Sequence, residues 1–200
     1  MGAKKSAPAS SRATKLTFRP LTAARWPHLE ALFGERGACG GCWCMAWRRR
    51  RSAWEKGKGA GNKGALKRLV EAGPPPGVLA YAAREPVGWC AIAPREQYAV
   101  LENSRVLKRI DEQPVWSITC LFIARPWRRR GISAELIRAA AKYAAARGAK
   151  IVEGYPTEPR TRLPDVFVWT GLPSAFLKAG FREAHRWSHS RPIMRRKLRA

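Results

Sequence analysis

The feature that most constrains this chain is an apolar stretch, residues 115–124, that leads through a basic turn into an alanine-rich segment. The stretch is apolar at successive positions, which predicts a strand buried on both faces inside a sheet. The turn contains three arginines and a glycine, namely Arg128, Arg129, Arg130 and Gly131. The apolar spacing over residues 133–147 predicts an amphipathic helix, and residues 149–153 are typical of a further strand. This order predicts a mixed α/β fold.

The turn has the chemistry of a polyphosphate site. The first N–H groups of a helix have no partner within the helix, and the positive end of the helix dipole lies there. Gly131 has no Cβ, so a phosphate can approach the backbone closely. Arginine side chains can then bind the phosphate oxygens. The interval Arg128-x-x-Gly131-x-Ser133 therefore predicts a pyrophosphate-binding turn.

The rest of the chain supplies the other elements of one domain, residues 15–200. Further strands are predicted at 15–20, 78–83, 86–93, 182–187 and 191–198. Further helices are predicted at 26–33, 62–72 with Asn62 as N-cap, and 173–179. The glycine-, cysteine- and arginine-rich residues 34–59 are either a short-helix insertion or a loop that lines a site. Residues 1–14 are small, polar and basic, which predicts a disordered tail.

The arrangement of these elements resembles the GNAT N-acetyltransferase superfamily over residues 15–198. The resemblance depends on the Arg128-x-x-Gly131-x-Ser133 turn and on Ala179-Gly180-Phe181 after a short helix. The superfamily has Gly or Ala in the place of Ser133, so this chain departs slightly there. The resemblance implies an α/β (α+β) fold with a mixed, mostly antiparallel central sheet, a splayed strand pair and flanking helices. The segment Cys42-Trp43-Cys44-Met45 also resembles a bacterial branch of these proteins.

The resemblance implies acetyl-CoA as co-substrate and no metal. Backbone groups of Leu121 and Ile123 would hold the pantetheine arm and the acetyl carbonyl. The pyrophosphate would be bound by Arg128, Arg129, Arg130, Gly131, Ile132 and Ser133. The expected reaction is direct transfer of the acetyl group to a primary amine in a ternary complex, where positioning supplies much of the rate.

Acyl transfer to an amine also needs proton transfer. Glu153 is the candidate base, directly or through water, because it ends the strand beside the cofactor strand. The alternative is a surface carboxylate paired with an arginine. The tyrosine that many family members use as acid is replaced by Phe176, so Tyr155 is the candidate substitute. Cys120 could in principle be acylated, but a buried, inert thiol is favoured.

The charge balance leaves other functions open. Lysine and arginine total 39, against 14 aspartates and glutamates, which gives a formal net charge of +25. Such an excess attracts polyanions, so a nucleic-acid-binding module on the same fold is one alternative. A second alternative is an acetyl-CoA sensor with little catalysis. The acceptor could be a small amine, an amino acid, a protein amine or an RNA-linked amine, and a homodimer is possible.

Location and cysteine chemistry follow from what the sequence contains. No apolar run has the length of a membrane span, and no signal-peptide core follows the N-terminus, so a cytoplasmic protein that does not associate with membranes is expected. Residues 1–6 match a myristoylation pattern, although a basic tail is favoured. Three candidate metal ligands are clustered, namely Cys39, Cys42 and Cys44, and His28 is the nearest candidate for a fourth. Small buried apolar residues are the favoured interpretation of the cysteines.

Overall fold

A computed structural model describes residues 15–161 and 163–198, and its centre is a seven-stranded sheet in the order β1-β2-β3-β4-β5-β7-β6. The strands are β1 (Leu16–Pro20), β2 (Gly77–Ala82), β3 (Glu85–Pro94), β4 (Trp116–Ile123), β5 (Ile151–Gly154), β6 (Arg182–Arg186) and β7 (Pro192–Lys197). All seven were predicted, with ends within two residues of those observed. The predicted tail, residues 1–14, and the myristoylation pattern lie outside the described residues.

The helices flank this sheet on both faces. They are α1 (Trp26–Phe33), α2 (Arg51–Lys56), α3 (Ala60–Ala72), α4 (Ala99–Glu102), α5 (Ile132–Ala145) and α6 (Pro173–Lys178). The longest, α5, packs its apolar side on one face of the sheet with Leu136, Ile137 and Ala140. On the opposite face, α1, α3 and the 34–50 turns bury a tryptophan-rich cluster. Within the described residues, no helix combines the length and the apolar character that a membrane span requires.

The junction of β4 and β5 sets the geometry of the site. Every neighbouring pair of strands is antiparallel except β4 and β5, which pair in parallel only from Trp116 to Ile118. The register between β3 and β4 shifts beside Ile118, so that Thr119 has no residue opposite. Such a bulge bends the strand. Past Ile118 the two parallel strands therefore separate, which confirms the predicted mostly antiparallel sheet with a splayed pair.

The start of α3 differs from the prediction. Asn62 does not cap this helix, because the helix begins at Ala60 with Gly59 as its N-cap. Asn62 is instead fully buried in the first turn. Its amide nitrogen donates to the backbone oxygens of Gly41 and Trp54, and its side-chain oxygen accepts from Arg49. This asparagine ties the 34–59 insertion to the helix, which a local capping rule cannot detect.

Candidate active site

A cavity of about 470 Å³ opens where β4 and β5 separate. Its walls are the end of β4, the turn into α5, the start of α5 and residues 165–178. Seven of the eight predicted cofactor residues line it, namely Leu121, Ile123, Arg128, Arg129, Gly131, Ile132 and Ser133. Arg130 does not line the cavity, and its guanidinium lies over the Trp127 ring, 5.1 Å from the ring centre.

The turn into α5 has the backbone shape that a bound anion would need. Gly131 is the N-cap in the left-handed region, with φ of 78°, and a Cβ built there would meet no atom within 4 Å. In the described residues no side chain caps the start of this helix. The space beside Gly131 is therefore open, and the first amides of a 14-residue helix face it. Arg129 also has a positive φ of 61°, which costs a non-glycine residue about 1 kcal/mol.

Arg128 links three walls of the cavity. Its Nε donates to the carbonyl oxygen of Ile123 at 3.0 Å, and its Nη1 donates to Oδ2 of Asp165 at 3.0 Å. The side chain is 35% exposed and its partner 50% exposed. The pair is therefore partly open to solvent, so an incoming phosphate can compete with Asp165 for the guanidinium.

Residues 165–172 lie across the gap between β4 and β5. The backbone N–H of Leu121 donates to the carbonyl oxygen of Trp169 at 2.7 Å. The resemblance assigned this group of Leu121, together with groups of Ile123, to the pantetheine arm. In this structure the Leu121 N–H and the Ile123 carbonyl both have partners within the chain. A ligand that pairs with this stretch of β4 must displace them.

The predicted catalytic pair lies in a closed network beside the cavity, and neither residue lines it. Glu153 is 1% exposed, so it is not the surface carboxylate that was the alternative interpretation. Its Oε1 accepts from Nη2 of Arg195 at 2.7 Å, and its Oε2 accepts from the Tyr155 hydroxyl at 2.7 Å. Arg95 approaches Oε2 at 3.6 Å. Both carboxylate oxygens are thus already engaged.

The tyrosine of this network is fully buried. Its hydroxyl donates to Glu153 and accepts from Nη1 of Arg95 at 2.9 Å, so the Ser117 hydroxyl at 2.8 Å is left to donate to it. Burial, followed by the charge of Glu153, raises the pKa of Tyr155 well above its usual value. The phenol therefore stays protonated at neutral pH. Phe176, in the family's tyrosine position, is buried in the core.

Two arginines that the sequence did not single out hold this network. Arg95 is 1% exposed and donates from Nε to Glu102 at 2.6 Å. Arg195 also bonds Asp111, with 2.6 Å between Nη1 and Oδ2. Both arginines stand in polar or basic sequence, and among 39 basic residues neither has a local signal of burial.

The cysteines occupy different environments. Cys44, Cys90 and Cys120 are buried, whereas Cys39 is exposed and lines the cavity. The sulfur atoms of Cys44 and Cys120 are 2.8 Å apart, and this contact together with burial raises the pKa of Cys120 well above its usual value. An inert Cys120 thiol follows. Among the described residues, no three His, Cys, Asp or Glu side chains are grouped so that they could hold a metal ion, and Nδ1 of His28 lies 2.8 Å from the Tyr81 hydroxyl.

Comparison with known proteins supports the same fold. The model of the Acetyltransferase (GNAT) family matches residues 41–162. An acetyltransferase of the GNAT family from Listeria monocytogenes is similar in structure, with 10% identity, a TM-score of 0.56, and coverage of 94% of this chain and 98% of that one. A GCN5-related N-acetyltransferase from Kribbella flavida has 17% identity and a TM-score of 0.53, covering 92% and 98%.

A third structure carries a ligand. The PaiA N-acetyltransferase from Thermoplasma acidophilum, solved in complex with coenzyme A, has 16% identity and a TM-score of 0.50, covering 92% of this chain and 99% of that one. No curated protein sequence matches the chain. At these identities the structural neighbours establish the fold alone. The family model, however, covers more than half of the chain, including β4, the Arg128–Ser133 turn and α5. This protein belongs to the GNAT acetyltransferase family.

Proposed function

We propose that the protein transfers an acetyl group from acetyl-CoA directly to a primary amine. The observation that carries this proposal is the cavity at the separation of β4 and β5, which the start of α5 and two arginines line. Coenzyme A in the Thermoplasma relative supports the same ligand here. Family membership supports acetyl transfer in general, and the amine acceptor is the proposal's own addition.

The residues present fit a coenzyme A diphosphate. Open space beside Gly131 lets an anion reach the amides of Ile132 and Ser133. Arg128 and Arg129 line the same space and can bind phosphate oxygens. The apolar side chains of Leu121 and Ile123 form the wall toward β4. Acetyl-CoA would supply a thioester, whose acyl carbon accepts an amine.

The chain's own part in the reaction is to position and to move protons. The amine nitrogen forms a bond to the acyl carbon, the carbon–sulfur bond breaks, one proton leaves the nitrogen and one reaches the sulfur. A backbone N–H of β4 is the simplest donor to the developing oxyanion. For Leu121 to supply it, the bond to Trp169 must break, so we propose that residues 165–172 move when acetyl-CoA binds.

Glu153 and Tyr155 remain the candidates for proton transfer. Tyr155 holds a proton at neutral pH and is bonded to Glu153, so the two can act together as one proton-holding unit. Neither touches the cavity, and both Glu153 oxygens accept hydrogen bonds from neighbours. We propose that water or the acceptor itself connects this unit to the reacting nitrogen.

Calorimetry with acetyl-CoA, followed by thiol release with a panel of amines, tests the proposed function. The Gly131→Glu variant places a carboxylate in the phosphate space, and we expect acetyl-CoA affinity to fall more than about 100-fold. Gly131→Ala is the matched control, because it has the same strained φ without the charge and its Cβ meets nothing. Normal binding by Gly131→Glu, with an unchanged unfolding curve, would refute the phosphate site.

A second candidate function is favoured by a different cavity. This cavity, of about 980 Å³, lies between α5, β6 and β7, away from the β4 separation. Its charged lining residues are Arg138, Lys142, Arg182, Arg195, Arg196 and Lys197, with one carboxylate, Glu183. A basic groove of this kind suits a nucleic-acid backbone. Salt-sensitive RNA binding without acetyl-CoA binding would favour this function over acetyl transfer.

A further inference from the structure

Arg191, just before β7, is a half-buried cation held by neutral groups. Its Nη1 donates to Oγ1 of Thr157 at 2.7 Å and to Oγ1 of Thr170 at 3.4 Å. The guanidinium carbon lies 5.8 Å from the centre of the Trp47 ring. Burial lowers the pKa of Arg191, since no compensating charge adjoins it. Nowhere in residues 15–161 and 163–198 does a carboxylate form an ion pair with it.

The neighbouring arginines differ from Arg191 in this respect. Arg95 is paired with Glu102, and Arg195 is paired with Glu153 and Asp111. Burying a cation costs free energy unless an anion accompanies it. Carboxylates compensate this cost at Arg95 and Arg195, but no carboxylate of the described residues does so at Arg191. That pattern is typical of a site whose anion arrives with a ligand.

The position of Arg191 connects it to the cofactor cavity. Trp47, under the guanidinium, meets Trp169 edge-on with 5.8 Å between ring centres. Trp169 and Gly171 line the cavity, and Thr170, which accepts from Arg191, lies between them in the chain. Trp169 therefore separates the cofactor cavity from the Arg191 guanidinium. An acceptor that reaches the thioester past Trp169 would carry its far end to Arg191.

We propose that Arg191 binds a carboxylate of the acceptor, so that the substrates are amines that also carry a carboxylate, such as amino acids. This inference rests on the proposed acetyl transfer and narrows it to one acceptor class. The site is built from three separate segments, with Trp47 and Thr157 contributing a ring face and an orienting hydroxyl.

The geometry of the guanidinium explains the choice of a carboxylate. In the described part of the chain, only Nη1 of Arg191 donates a hydrogen bond, so Nε and Nη2 are free to bind a planar two-oxygen group. The nearest acidic residue in sequence, Glu183, is paired with Arg186, as is Glu158, and neither competes for Arg191. The two threonine hydroxyls and the Trp47 face fix the plane of the fork.

Matched acceptor pairs test the proposal: amino acids against the amines left after removal of their carboxylate, for example phenylalanine and phenethylamine. We expect kcat/KM to be at least about tenfold higher for the amino acids. Arg191→Gln should lower kcat/KM for the amino acids about 10–100-fold and change that for the amines less than about threefold. Arg191→Lys keeps the charge and loses the planar fork. Its kcat/KM for the amino acids should therefore lie between the values of the wild type and of Arg191→Gln.

Arg68→Gln is the control variant, since it removes one charge from an exposed position on α3. Acetyl-CoA calorimetry on every variant shows whether the protein is folded and whether the proposed function holds. If acetyl-CoA fails to bind the wild type, acetyl transfer fails, and amino-acid binding is then read from the Trp47 indole N–H signal by NMR. A shift of that signal in the wild type and not in Arg191→Gln supports the carboxylate site.

Three results would overturn the inference while leaving acetyl transfer intact. The first is equal turnover of amino acids and their decarboxylated amines. The second is an equal loss on both acceptor classes in Arg191→Gln. The third is a preference for aminoalkyl phosphates over amino acids, which would assign the guanidinium to a phosphate. In the NMR experiment, the absence of any shift of the Trp47 signal with amino acids would also contradict the inference.

Discussion

The cofactor cavity adjoins the end of β4, the Glu153 network lies beside the start of β4, and the two are built in opposite ways. Nearly half of the residues that line the cavity, including Arg128, Arg129 and Ser133, belong to one stretch, residues 121–134, and the cavity is open to solvent. The network joins Arg95, Glu153, Tyr155 and Arg195, each buried or half-buried and each with partners within the chain. Donors that lack partners within the chain can bind a ligand, whereas donors that all have partners within the chain stabilise the fold.

Arg191 lies between these two kinds of site. Like the network arginines it is packed among other side chains, and like the cavity it keeps donors that the chain does not use. Donors without partners, more than charge itself, therefore distinguish a binding residue in a chain with 39 basic residues. Four experiments test this distinction.

The largest expected effect follows Glu153→Gln. Removing the charge leaves Arg195 and Arg95 facing a neutral amide, and we expect the free energy of unfolding to fall by about 3–5 kcal/mol. Urea denaturation measures this. Acetyl-CoA affinity should change less than threefold, and exposed Glu183→Gln should cost less than about 1 kcal/mol. Unchanged stability together with loss of the acidic limb of the kcat–pH profile would identify Glu153 as the base, because a base must be deprotonated to act.

Next comes a contrast between two arginines of the turn. Arg128→Ala removes a guanidinium that lines the cavity and its bond to Asp165, so Kd for acetyl-CoA should rise about 10–100-fold. Arg130→Ala is the matched control, because Arg130 lies over Trp127 and does not line the cavity. Calorimetry measures both. Equal losses would show that the turn binds phosphate through its overall charge.

A smaller effect is expected at Cys39, the exposed cysteine of the cavity wall. At an acetyl-CoA concentration 100 times Kd, about 1% of the protein is free, so alkylation of Cys39 should slow at least about tenfold. Peptide mass spectrometry reads the rate. Cys42 is the control, since burial raises its pKa to about 11 and it should react slowly with or without ligand. Unprotected Cys39 would place the ligand elsewhere.

The smallest expected effect is on the stability of the protein at low pH. The bond from Arg195 lowers the pKa of Asp111 from its ordinary value of 3.8. A lowered pKa stabilises the fold above the ordinary value, and this contribution is lost as pH falls through the folded value. Because Asp111 is partly exposed, we expect Asp111→Asn to remove less than about 1 kcal/mol at pH 7 and to flatten the stability curve below pH 4. An identical curve would show that the pair contributes nothing.

Much of the fold was predictable because its signals are local. Alternating or continuous apolar residues mark β1 to β5, and the helix pattern of α5 follows directly from its sequence. Asn62 shows where local rules fail, because it satisfies a buried loop and does not cap its helix. The buried positions of Arg95 and Arg195 could not be predicted, since their partners Glu102, Glu153 and Asp111 come from different segments.

The turn that we propose binds phosphate is encoded locally, because Arg128, Gly131 and Ser133 lie within six residues and a helix start needs no distant partner to bind an anion. The contact of Trp169 with Leu121 and that of Arg191 with Trp47 arise only when the chain folds. Those contacts join segments more than 40 residues apart, and side-chain packing selects them. Such packing depends on the whole core, so no short stretch of sequence encodes it.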